Sequence, residues 1–141
     1  NNKQLGEMGE RVAIGELAKY GIDVLLPMSD NLPFDFVVFH NYKFFKCQVK
    51  TTDTKTENNS LCFSLVTKNW SNKEAHKYTI DEVDVVICCD LDTIYLFPMS
   101  ELVDRRTITL RTETSKNGQV KGINFTKDYV ISEDRISKIF C

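Results

Sequence analysis

The sequence predicts a mixed α/β (α+β) fold. Three observations predict it: a helix-forming stretch closed by a glycine near the N-terminus, a middle of short apolar or alternating runs broken by turn residues, and a capped amphipathic stretch at the C-terminus. At 141 residues the chain has the length of one ordinary domain and is read as a single domain over 1–141. A domain of this size buries roughly two-thirds of the surface its unfolded chain exposes, enough for a core without staples.

Lys3 to Tyr20 reads as the first helix. It holds no proline, it is rich in good helix formers, and Gly21 stands where a left-handed C′ residue would end it. At about 100° per residue, Ala13, Ile14 and Leu17 share one face, and Glu10 falls within about 60° of all three. An acid in line with an apolar stripe is costly unless it escapes to solvent or meets a partner. Glu7 and Arg11, four residues apart, are placed for a surface ion pair.

Ile22–Leu26 is a short strand ended by Pro27, and Ser29-Asp30-Asn31 supplies turn residues for the loop that follows. Phe34–Phe39 and Tyr42–Thr52 form two strands joined through His40-Asn41 as a hairpin. The second alternates, so Phe45, Cys47 and Val49 face one way while Lys46, Gln48 and Lys50 face the other. Leu61–Thr67 is a strand, and Lys68–Tyr78 a basic, aromatic loop or short helix. Val83–Cys89 and Thr93–Phe97 pair around the Asp90-Leu91-Asp92 turn. Ser100 is placed to cap a short helix through Asp104. Arg105–Arg111 alternates as a strand, and Val120–Phe125 returns beside it after a turn at Asn117-Gly118. Ser132 caps a final helix through Phe140, with Ile136 and Phe140 on one side.

Composition excludes several classes. Five cysteines (Cys47, Cys62, Cys88, Cys89, Cys141) are odd in number and show no CxxC spacing. This favours reduced thiols in a cytosolic protein over a disulfide framework or a zinc site. No apolar run reaches the length of a membrane span, and the N-terminus does not read as a signal peptide, so no membrane partner is expected. The net charge of −2 conceals segregation: residues 41–80 and 105–121 are basic, whereas 81–104 contain seven acids and no base. The basic blocks suit phosphate contacts if the fold brings them to one face, and otherwise are solvated surface. Lys68, Lys73 and Lys77 in the first, and Arg105, Arg106, Arg111 and Lys116 in the second, are the candidate DNA contacts. A charged edge hairpin kept soluble by its arginines is the alternative for the second block.

The chemistry concentrates between Pro33 and Lys50. Asp35 opens one strand, and Gln48 and Lys50 close the next on a shared face. A divalent cation such as Mg²⁺ prefers oxygen ligands and keeps several waters, so few protein oxygens suffice. Asp35 offers a carboxylate, Gln48 an amide oxygen, Val49 a backbone carbonyl, and Glu10 a further carboxylate directly or through water. Lys50 beside them would orient an attacking water or stabilise phosphoryl charge. Such a set hydrolyses phosphodiesters with Mg²⁺ or Mn²⁺.

With Gly6-xxx-Glu10-Arg11 on the helix, then Pro33-Phe34-Asp35, then Gln48-Val49-Lys50-Thr51, the chain resembles the PD-(D/E)xK nuclease superfamily. Its Gly-xxx-Glu-Arg pattern is similar to that of archaeal Holliday junction resolvases in that superfamily. Its glutamine at the second acidic position and short length look closest to the group I intron-encoded homing endonucleases of cyanobacteria. The resemblance covers residues 6–52 and extends more weakly through the Val83–Pro98 strand pair. It implies a restriction-endonuclease-like core, a central mixed sheet flanked by helices, over about 3–98. Residues 99–141 then supply a DNA-contact hairpin and the final helix. It further implies Mg²⁺-dependent cleavage of double-stranded DNA by a symmetric homo-oligomer, a dimer or tetramer. Glu10, Asp35, Gln48 and Lys50 carry the catalytic positions. Two departures stand out: Phe34 separates Pro33 from Asp35, and Gln48 is neutral. A junction-resolving or repair nuclease is the second enzymatic reading. An inactive nuclease fold that only binds DNA is the reading Gln48 motivates.

Overall fold

Residue pattern and turn chemistry together place the elements of the computed structural model, which describes the chain apart from residues 69–74, 113–117 and 119–122 and the side chain of Lys68. Helix α1 spans Asn2–Lys19. Asn1 caps it by accepting from the backbone N–H groups of Lys3 and Gln4. It ends in a Schellman arrangement: Gly21, at φ +70°, donates to the Ala18 carbonyl and Ile22 to that of Leu17. Only glycine takes that backbone conformation without steric cost.

Strands β1 (Asp23–Leu25), β2 (Phe36–His40) and β3 (Lys43–Thr51) form an antiparallel meander. The β2–β3 turn is Asn41-Tyr42 rather than His40-Asn41. Both of its residues have positive φ, 52° and 62°, the signature of the primed turns that match strand twist. β3 then runs parallel to β7 (Val85–Cys89), which pairs antiparallel with β8 (Ile94–Pro98). The central sheet therefore has the order β1-β2-β3-β7-β8. Every residue of β7 is buried, as its unbroken apolar run requires of a strand covered on both faces.

One face of the sheet packs against α1 and the C-terminal helix α2 (Glu133–Ile139). Ala13, Leu17, Ile136, Ile139 and Phe140 cover Phe36, Val38, Cys47, Val49, Val85 and Ile87. Ser132 caps α2 by accepting from the Arg135 N–H. The opposite face of β7 and β8, with Val86, Cys88, Tyr95 and Phe97, lies under the two-stranded sheet β4–β9 (Ser60–Ser64 and Thr107–Arg111) through Leu61, Phe63, Ile108 and Leu110. A second small sheet pairs β5 (Val66–Lys68) with β6 (Ala75–Lys77).

Four local expectations change. The expected Leu61–Thr67 strand breaks at Leu65, where the Ser64 hydroxyl bonds the Val66 backbone and the chain leaves β9 to pair with β6. The basic stretch Lys68–Tyr78 contains strand β6 rather than a loop or helix alone. The segment after Pro98 is one 3₁₀ turn, Met99–Glu101, without a side-chain cap from Ser100. The antiparallel partner of Arg105–Arg111 is β4, and Phe125 meets Arg111 through an isolated parallel bridge. Within the expected return strand the Asn124 carbonyl accepts the Arg111 N–H at 2.9 Å, while its residues 120–122 and the Asn117 turn residue lie outside the described residues. The pairing of β4 with β9 joins segments far apart in the chain, which local propensity does not specify. Among the described residues all five cysteines are free thiols, and no helix is long and apolar enough to cross a membrane.

Candidate active site

Strand β3 outruns β2. Pairing ends at Phe36↔Cys47, leaving the backbone beyond Gln48 without a ladder partner on that side. Asp35 fills the gap. Its own N–H donates to the Cys47 carbonyl at 2.8 Å, and its Oδ2 accepts the Val49 N–H at 2.7 Å. The carboxylate thus takes the place of the next ladder acceptor and is held at the C-terminal half of β3, with its second oxygen left over.

Helix α1 reaches the same place because of a glycine. Gly9 is buried on the stripe it shares with Ala13 and Leu17, and a Cβ there would run into the Thr51 side chain. The helix can therefore lie directly on β3. Gly6, the glycine of the sequence motif, has open space around it. The close approach sets the next residue, Glu10, beside Asp35. Both line one cleft of about 310 Å³ together with Pro27, Ser29, Asp30 and Phe34. Burial, and then the nearby charges of Asp35 and Glu7, push the Glu10 carboxyl above its ordinary value. Burial likewise raises Asp35, against the opposing pull of the Val49 N–H and Lys50. Among the described residues neither carboxylate has an ion-pair partner.

Gln48 and Lys50 stand next to Val86 and Cys88 in the β3–β7 register, so both point to the face that β4–β9 covers. The Gln48 amide lies 3.5 Å from the Val49 carbonyl oxygen. The Lys50 ammonium donates to the Tyr78 hydroxyl at 3.3 Å and sits 4.8 Å from the centre of that ring. Burial lowers its pKa, while Asp35 and then Cys88 act in the opposite sense. A family model for PD-(D/E)XK endonucleases matches residues 1–132. The chain belongs to that family. Among solved structures, that of a bacterial homing endonuclease, I-Ssp6803I, matches with a TM-score of 0.67 at 21% identity, covering 92% of this chain and 86% of that one. At that identity the likeness is one of fold, a five-stranded mixed sheet with helices on one face. No curated protein sequence matches.

A PD-(D/E)XK endonuclease needs oxygens for a metal, and the oxygens here are of two kinds. Among the described residues no three His, Cys, Asp or Glu side chains converge on a point that would hold an ion. Two carboxylates, Glu10 and Asp35, share the cleft, and Gln48 and the Val49 carbonyl add neutral oxygens at the end of β3. Two desolvated acids without an ion-pair partner fit a divalent cation that retains part of its water shell.

The candidate DNA contacts separate. Arg105 and Arg106 are exposed on the approach to β9, where Thr107 and Thr109 alternate outward with buried Ile108 and Leu110. Arg111 is half-buried, and its Nε is buried without a hydrogen-bond partner among the described residues. Lys77 is half-buried in β6, and Lys68 ends β5. Lys73 and Lys116 lie outside the described residues. Sequence reasoning missed two residues of this region, Gly9 and Tyr78. The signal for Gly9 was its place four residues before Ala13 on the apolar stripe. Tyr78 carried none, because its contact with Lys50 crosses between strands far apart in the chain.

Proposed function

We propose that this protein is a Mg²⁺-dependent, sequence-specific endonuclease of the homing type that hydrolyses phosphodiester bonds in double-stranded DNA. The observation that carries the proposal is the convergence of Glu10 and Asp35 in one cleft, with Lys50 close enough for its charge to act on Asp35. Asp35, Gln48 and the Val49 carbonyl would hold the cation, and Glu10 would join them directly or through water. Bound there, Mg²⁺ supplies charge to the phosphoryl oxygens and acidifies a coordinated water. The chain's own part is to fix positions. The Val49 N–H orients Asp35, and Gly9 allows Glu10 to approach. Lys50, its pKa lowered by burial, orients the attacking water or steadies charge on the phosphate. Arg105, Arg106, Arg111, Lys68, Lys73, Lys77 and Lys116 would supply backbone and base contacts. One protomer has one such site, so cutting two strands calls for a homo-oligomer, a dimer or tetramer, acting on nucleoid DNA in the cytoplasm. Residues 99–141 would extend the core of about 3–98 within a single domain.

The test is cleavage of a duplex library with Mg²⁺, with EDTA, and with the Asp35→Ala and Lys50→Ala variants. A discrete cut site that disappears in the last three conditions is expected. Full cutting by either variant would refute the assigned site, and preference for four-way junctions without sequence selection would move the substrate to branched DNA. Gln48 favours one further reading, a nuclease fold that binds DNA without cutting. Tight binding with no cleavage in Mg²⁺ or Mn²⁺, and gain of cleavage in Gln48→Glu, would establish it.

A further inference from the structure

Tyr78 follows β6 and is only 7% exposed, packed in the second core with Leu61, Phe63, Leu65 and Val83. Its ring meets that of His76 edge-on at 5.8 Å, and His76 is in turn paired to Glu82 at 2.9 Å. Thr67, on β5, stands near enough to its hydroxyl to interact with it. The ring is thus fixed from several sides, and its hydroxyl turns to the Lys50 ammonium at 3.3 Å, with the ring centre 4.8 Å from that charge. We propose that Tyr78 is a positioning residue for Lys50, holding the ammonium at the end of β3 without neutralising it.

A lysine side chain has four rotatable carbons and a compact charge that many partners satisfy. Asp35 attracts Lys50, but no ion pair joins the two among the described residues. A carboxylate partner would hold the ammonium and cancel the charge a phosphate needs. A neutral phenol attracts the cation through its oxygen lone pair and leaves its full charge in place. One N–H is spent on Tyr78, and the others remain for a water or a phosphoryl oxygen. This role rests on the nuclease reading of Lys50.

Two measurements test it. The first needs no substrate: the nearby ring displaces the Lys50 ε-methylene proton signals from the ordinary lysine position in the wild type and in Tyr78→Phe, and Tyr78→Met returns them to it. The second is single-turnover cleavage of the duplex selected by the wild type, with DNA affinity measured separately in Ca²⁺. Loss of the hydroxyl in Tyr78→Phe slows cleavage about tenfold, the scale of a hydrogen bond to a charged group. Loss of ring and hydroxyl in Tyr78→Met slows it about a hundredfold at unchanged affinity. An unshifted Lys50 signal in the wild type overturns the proposal. So does wild-type cleavage by Tyr78→Met while Lys50→Ala is dead, an outcome that leaves the site standing. Full cutting by Lys50→Ala removes the site and this role together. Should Tyr78→Met fail to fold, the wild-type Lys50 shift and the Tyr78→Phe rate decide, and an unshifted signal or an undiminished rate overturns the proposal.

Discussion

Asp35 and Asp84 flank β3 in the same way. Each stands just before a strand that runs beside β3, and each carboxylate accepts a β3 backbone N–H: Asp35 from Val49 at 2.7 Å, Asp84 from Lys46 at 2.8 Å. Each also donates its own N–H to a β3 carbonyl, Cys47 and Lys46 respectively, at 2.8 Å. Locally the two are one device, an aspartate that closes the end of a ladder. Their surroundings differ. Asp35 shares a cleft with Glu10 and feels Lys50. Asp84 borders an apolar groove lined by Leu25, Leu26, Leu32 and Phe34. A hydrogen-bonded strand aspartate is therefore structural by default, and what makes one of them a candidate catalyst is the second carboxylate and the lysine that the fold brings to it.

The comparison is sharpest if broken at Asp35. Asp35→Asn keeps an acceptor for the Val49 N–H but removes the charge, so cleavage should fall by about a thousandfold or more while the fold remains. The mirror variant Asp84→Asn should cleave within about threefold of wild type and lose about 1 kcal/mol of stability, as for one weakened hydrogen bond. A cleavage assay beside urea denaturation measures both. Equal loss of activity in the two variants would erase the distinction.

The next largest effect is expected from separating Glu10 from Asp35. Gly9→Ala places a Cβ against Thr51, which should cost about 1–3 kcal/mol by overpacking and reduce cleavage as α1 is lifted. Gly6→Ala, in open space on the same helix, should instead stabilise by about 0.5–1 kcal/mol. Thermal melts of the pair report whether Gly9 is the point of contact.

Adding charge on the Asp35 side is a smaller change. Gln48→Glu should lower the Mg²⁺ concentration for half-maximal cleavage by about tenfold, because a carboxylate replaces a neutral oxygen. A metal titration of single-turnover rates measures it, and no change would place Gln48 outside the cation's ligands.

The smallest effect is in pH. The folded-state pKa of Asp35 lies above its ordinary 3.8, so the folded protein holds that proton more tightly than the unfolded chain. The resulting stability is fully present below the unfolded value and is lost as pH rises through the folded one. In EDTA, wild type should therefore lose melting temperature relative to Asp35→Asn as pH rises from about 4, since the amide does not titrate. A constant difference would show that Asp35 is not desolvated.

Much of this molecule was legible in one dimension. Gly21 ends α1 because its φ of +70° demands it, Ser132 caps α2, and the alternation of β3 turns Gln48 and Lys50 to one face. These are local rules of backbone and period, and a sequence states them directly. The order Glu10, Asp35, Gln48, Lys50 was legible as a resemblance to a nuclease motif, and the chain belongs to a nuclease family whose model spans 1–132. Contacts between distant segments were not. The break at Leu65, the pairing of β4 with β9 and the strand at Ala75–Lys77 depend on which partner each strand finds, and isolated strands carry too little propensity to say. The contact of Gly9 with Thr51, and of Tyr78 with Lys50, joins residues separated by dozens of positions. By itself the sequence determined the inventory of chemical groups and the face each would occupy on its own element. Only tertiary packing decided which aspartate beside β3 gained a second carboxylate, because desolvation and charge proximity exist only once the helix and sheet are pressed together.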